Sequence, residues 1–90
     1  SPRTRIQEIT APLLVIQDSI LNGTILILNG KTEVGATLWV EGERIDVDEL
    51  GDFQAVVKLK NEGINEVKVV AQDLAGNESR KSHEVYVEAF

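Results

Sequence analysis

The side chains able to do chemistry fall in three places along this 90-residue chain. The densest is acidic: Glu41, Glu43, Asp46, Asp48, Glu49 and Asp52 are opposed only by Arg44, so one hairpin-length stretch holds −5 of the chain's net −6. Calcium takes several carboxylate and carbonyl oxygens, and Asp46, Asp48 and Asp52 are the candidate ligands for it. The spacing matches no EF-hand loop. A solvated hairpin whose charges deter edge-to-edge pairing explains the run more simply, and no cofactor is expected. The second place is Trp39, the only tryptophan, with Tyr86 the only tyrosine. Exposed aromatic rings stack on sugars or anchor partners. The third is His83, the only histidine. No nucleophile or orienting motif surrounds it, so it reads as a structural residue. The paired carboxylates of a glycosidase need a cleft that raises one pKa, and short loops offer little cleft. The chain is not expected to be an enzyme.

The elements holding these residues are strands. Valine (11) and isoleucine (8) outnumber alanine (6) by about three to one. Branched side chains suit pleated sheets and lose rotamer freedom in helices. Seven glycines recur at strand-plus-turn spacing, and no window shows a helical apolar period. The strands expected are Leu13–Gln17, Thr24–Gly30, Thr37–Glu41, Arg44–Val47, Phe53–Lys60, Glu66–Gln72 and Ser82–Ala89. About seven short strands joined by turns predict an all-β, Greek-key β-sandwich. Residues 1–11 read as a linker or fusion scar, and residues 12–90 as one domain.

Alternation assigns the faces. Leu38 and Val40, the row Phe53, Ala55, Val57 and Leu59, then Val67, Val69 and Ala71, and finally Val85 and Val87 point inward. Trp39, Val70 and Tyr86 point outward. If their three strands share a sheet, they form an apolar strip suited to a carbohydrate or to a neighbouring domain, the latter being the simpler reading. The second strand is apolar on both faces. Leu26 and Leu28 are assigned inward by phase, leaving Ile25 and Ile27 as an exposed pair that makes a second contact patch with Val56.

Charge and hydropathy exclude two classes of partner. A pI near 4.6 gives no cationic footprint for nucleic acid. No apolar run approaches the ~18 residues of a membrane span, so no membrane insertion is expected. Cysteine is absent, which removes disulfides, thiolate nucleophiles and cysteine metal clusters. The isolated domain is expected to be monomeric.

One ordered series of short strings carries a resemblance. It runs Asn29-Gly30-Lys31-Thr32-Glu33-Val34-Gly35-Ala36, Val40-Glu41-Gly42-Glu43, Val47-Asp48-Glu49-Leu50-Gly51-Asp52-Phe53, Leu59, Glu62-Gly63-Ile64-Asn65 and Ala71-Gln72-Asp73-Leu74-Ala75-Gly76-Asn77. Over residues 12–90 the chain resembles bacterial immunoglobulin-like modules of the glucodextranase B-domain type. Trp39 departs from that pattern, which usually carries a small polar residue there. The resemblance implies an immunoglobulin-like sandwich, an extracytoplasmic location and a non-catalytic spacer or docking role within a secreted or cell-envelope protein. It implies no specific ligand.

Overall fold

The computed structural model describes residues 11–88. The linker expected at residues 1–11, Ala11 apart, and the expected last-strand residue Ala89 lie outside the described residues. Seven strands follow one another: β1 (Leu14–Asn22), β2 (Ile25–Thr32), β3 (Thr37–Val40), β4 (Glu43–Ile45), β5 (Asp52–Lys58), β6 (Gly63–Gln72) and β7 (Glu78–Val87). They form two antiparallel sheets, ordered β1-β2-β5 and β4-β3-β6-β7. The connections β2–β3, β4–β5 and β5–β6 each cross from one sheet to the other, so neighbours in sequence are often not neighbours in a sheet. This is the all-β sandwich the alternation predicts.

The inward rows meet in one core. Leu14, Leu26, Leu28 and Ala55 from one sheet face Leu38, Val40, Val67, Val69, Ala71 and Val87 from the other, with Phe53 and Leu59 completing it. Gly30 sits in this layer because nothing larger fits: a Cβ there would overlap the Val15 carbonyl oxygen and the Phe53 ring. Among the described residues Thr32 is the one fully buried polar side chain, and its hydroxyl donates to the Leu13 carbonyl at 2.6 Å. That bond supplies the partner a buried polar group requires.

Several boundaries differ from the sequence reading. β1 runs on to Asn22 because a bulge between Ile16 and Asp18 resets its register, so it keeps pairing with β2 after the apolar alternation is lost. β6 starts at Gly63 and β7 at Glu78, and the two pair over ten residues. Ile25 and Ile27 are half-buried rather than exposed, since β2 is the central strand and side chains from β1 and β5 flank both.

Two turns share one design. In Asp48-Glu49-Leu50-Gly51-Asp52, the Asp48 carboxylate accepts the N–H groups of Leu50 (2.9 Å) and Asp52 (2.8 Å). In Asp73-Leu74-Ala75-Gly76-Asn77, Asp73 accepts those of Ala75 (3.0 Å) and Asn77 (2.8 Å). In both, the glycine N–H donates back to the aspartate carbonyl at 3.1 Å. The short acidic side chain thus satisfies backbone donors that the tight turn leaves without ladder partners.

Candidate functional site

Pairing on the β4-β3-β6-β7 sheet decides what surrounds Trp39. It lies directly opposite Arg44 on one side and Val70 on the other, and Val70 lies opposite Arg80. The outer face therefore carries a row Arg44–Trp39–Val70–Arg80, in which Trp39 and Val70 are half-buried. The Arg80 guanidinium is held by Glu78 at 2.8 Å. Tyr86 does not join this row. It pairs with Ile64, six residues further along β6, or about 20 Å away at strand rise. Between the two spots lie Lys68 opposite Ser82 and Glu66 opposite Glu84. Trp39 and Val70 are brought together, and Tyr86 instead forms a separate exposed pair with Ile64.

Of the acidic candidates, Asp48 and Asp52 meet at one turn, where the Asp48 carboxylate accepts the Asp52 N–H at 2.8 Å. Asp48 is the turn cap just described, and Asp52 lies 3.5 Å from the Lys31 ammonium, which also donates to the Leu50 carbonyl at 2.9 Å. Glu41 turns back on its own sheet, where its Oε2 accepts the Lys68 N–H at 2.7 Å. Asp46 lies in the connection after β4. Among the described residues no three acidic or histidine side chains converge in a way that could hold a metal ion.

His83 is half-buried, with Nε2 3.1 Å from the Ser19 hydroxyl. A serine within reach of a histidine is how an activated nucleophile begins. A triad also needs a group that orients the other ring nitrogen, and among the described residues no carboxylate bonds this ring. Together with the Ser79 hydroxyl on the Pro12 carbonyl, the contact ties edge strand β1 to edge strand β7. The two sheets are thereby closed along that side.

The outer face of β1-β2-β5 is banded. One band is a polar ladder in which Gln54 donates to Asn29 at 3.0 Å and Asn29 donates to Asp18 at 2.9 Å. The next row is wholly apolar: Ile20, Ile27 and Val56 stand side by side across all three strands, with Ile25 adjoining. Ile20 is 55% exposed and Val56 61%. Ile20 went unnoticed in the sequence because the bulge preceding it shifts the phase of β1.

The remaining feature is a groove of about 590 Å³ between edge strands β4 and β5. Loop length did not foretell it, because strand ends create it. β3 stops at Val40 and β4 is only three residues long, while β6 runs on as far as Gly63. Its lining mixes apolar side chains, among them Val40, Ile45, Val57 and Leu59, with the charged Glu43, Lys58 and Glu66. Among the described residues no aromatic ring lines it.

The described residues contain no helix, and so none long and apolar enough to cross a membrane. No curated protein matches the chain. The family model described as glucodextranase, domain B, matches residues 22–89, which takes in every strand from β2 to β7. The strings that carried the resemblance are the turns, strand ends and close approaches of this sandwich, and the chain belongs to the glucodextranase domain B family.

Proposed function

We propose that this domain is a non-catalytic accessory module of a larger bacterial secreted or cell-envelope protein, where it positions a neighbouring domain by rigid packing. Membership of a family described as one lettered domain of an enzyme supports a role within a longer chain. The observation that carries the docking reading is the row Ile20–Ile27–Val56. Three branched side chains in line across a whole sheet, bounded on one side by the polar ladder and adjoined on the other by Ile25, form an apolar band suited to burial against another surface. Neither His83 nor the acidic hairpin offers an assembled catalytic group.

The test uses the parent protein and the isolated chain side by side. Ile20→Lys with Val56→Lys should leave the melting temperature of the isolated chain within a few degrees, since both side chains are exposed. In the parent it should uncouple the melting of this domain from that of its neighbour. Unchanged coupling in the parent would sink the docking reading.

A second reading, of carbohydrate or cell-wall recognition, is favoured by Trp39 in line with Arg44, Val70 and Arg80. An indole beside a guanidinium suits an acidic sugar, the ring stacking and the cation meeting the carboxylate. Titrating neutral and acidic wall polysaccharides while following Trp39 emission tests it. A flat response to both removes it.

A further inference from the structure

The groove between β4 and β5 exists because the β4-β3-β6-β7 sheet is missing part of a strand. β3 pairs with β6 only from Thr37 opposite Gln72 to Val40 opposite Val69. The Glu41 N–H then donates to the Lys68 carbonyl at 2.9 Å and the Glu41 carboxylate accepts the Lys68 N–H at 2.7 Å, adding one more rung before the chain turns away. Below that rung β6 still pairs with β7 through Val67, Glu66, Asn65, Ile64 and Gly63. On its other side, among the described residues, no strand stands beside it.

Lys68 shows which backbone groups face the gap. Its N–H and C=O both point toward β3, and in an antiparallel ladder this orientation repeats every second residue. The N–H and C=O groups of Glu66 and Ile64 therefore point into the groove, in line with the path β3 would have followed. A row of this kind is a template for strand addition.

The slot also specifies side chains. A strand laid beside β6 would alternate, with one set of side chains entering between the sheets and the other standing on the outer face. The inner set meets Val40, Ile45, Val57 and Leu59, which asks for apolar residues. On the outer face, the residue opposite Glu66 meets two carboxylates, because Glu66 already lies directly opposite Glu84. Like charges in that position repel, and a cation on the vacant side of Glu66 relieves them.

We infer that this groove is an acceptor site for an extended segment of a partner polypeptide, with apolar side chains inward and a lysine or arginine outward opposite Glu66. The segment adds to β6 in the position that β3 leaves empty.

The probe is the capped tetrapeptide acetyl-Val-Lys-Val-Thr-amide, which fits the positions opposite Val67 to Ile64 and stops short of the Glu41 rung. It is titrated into the full 90-residue chain with amide chemical shifts as the readout. Shifts should centre on Ile64, Glu66 and Val67, and hydrogen exchange at the Ile64 and Glu66 amides should slow. N-methylation of the peptide's lysine, whose N–H faces β6, should weaken binding about tenfold, the value of one backbone bond. N-methylation of either valine, whose N–H faces away from β6, should weaken it far less. Replacing the lysine by glutamate should cost about fivefold. The exposed substitution Glu66→Lys should reverse that preference, with an unchanged melting temperature confirming the fold. Three results would overturn the assignment: shifts centred elsewhere, equal loss from both N-methyl peptides, or a lysine preference that survives Glu66→Lys. Concentration-dependent dimerisation of the free chain through this groove would overturn it too, since the occupant would then be a second copy.

Discussion

Glu41 is the only described residue other than glycine with a positive φ, 52°, and it closes β3 with two bonds to Lys68. The conformation and the side-chain bond oppose each other energetically, and substitution separates them. A non-glycine residue in the left-handed region carries roughly 1–2 kcal/mol of strain. An exposed carboxylate accepting one backbone N–H contributes about 1 kcal/mol. Glu41→Ala loses the bond and keeps the strain, so it should be less stable by about 1 kcal/mol, or roughly 4–8 °C in melting temperature for a domain of this size. Glu41→Gly loses the same bond but relieves the strain. After allowance for the freer unfolded chain, it should stand about 0.5–1 kcal/mol above the alanine variant and close to the original. Glu41→Gln retains an acceptor oxygen and should melt near the original. Thermal unfolding followed by circular dichroism gives the ranking. Hydrogen exchange at the Lys68 amide gives the mechanism, with protection kept in Gln and lost in both Ala and Gly. Equal melting of Ala and Gly would refute the strain, and a Lys68 amide still protected in Ala would refute the carboxylate as its partner.

Three further outcomes follow from the same structure. Thr32→Val removes the donor to the Leu13 carbonyl and should cost at least about 1 kcal/mol in urea unfolding, despite adding a methyl group to the core. Glu84→Lys turns a like-charged cross-strand pair with Glu66 into an attractive one and should raise stability by roughly 0.5 kcal/mol at low salt, a gain that fades at 1 M salt. The Asp73 pKa is lowered, chiefly by the Asn77 side-chain amide; desolvation, the next-largest effect, opposes this, and the N–H groups of Asn77, Ala75 and Gly76 lower it further. A lowered native pKa stabilises the fold above the unfolded value of 3.8 and is lost as pH falls through the native one. The urea midpoint should therefore drop below about pH 4, and Asp73→Ala should start lower at pH 7 and drop less.

The core was legible wherever alternation was clean. Leu38, Val40, Val67, Val69, Val85 and Val87 are buried as their two-residue period requires. Reading failed where a strand lies at the margin of the sandwich. Ser79 and Lys81 begin β7 at an edge that covers little core, so nothing apolar marks them. Gly63, Ile64 and Asn65 look like a turn, yet they pair with Val87, Tyr86 and Val85. Asn65, by contrast, ties the entry of β6 as a short polar side chain beside a turn can, its amide donating to the carbonyls of Asn61 and Gly63. Register between strands distant in sequence is invisible in a single chain, and register separates Tyr86 from Trp39. The groove depends on β3 ending before β6 does, a difference of lengths that appears only once the two are paired.

The Gln54–Asn29–Asp18 ladder bears on how the chain avoids misfolding. Ile25, Leu26, Ile27 and Leu28 are all apolar, so hydrophobicity alone leaves β2 free to turn either face to the interior. A slip of one residue would bury Ile25 and Ile27 almost as well as Leu26 and Leu28, and would also carry Asn29 and Lys31 inside. The three polar side chains, bonded in one direction from amide to amide to carboxylate, can be satisfied only in the native alignment. The greasiest strand of the domain, a candidate for slippage and aggregation, thus has its phase set by the polar residue that follows its apolar run.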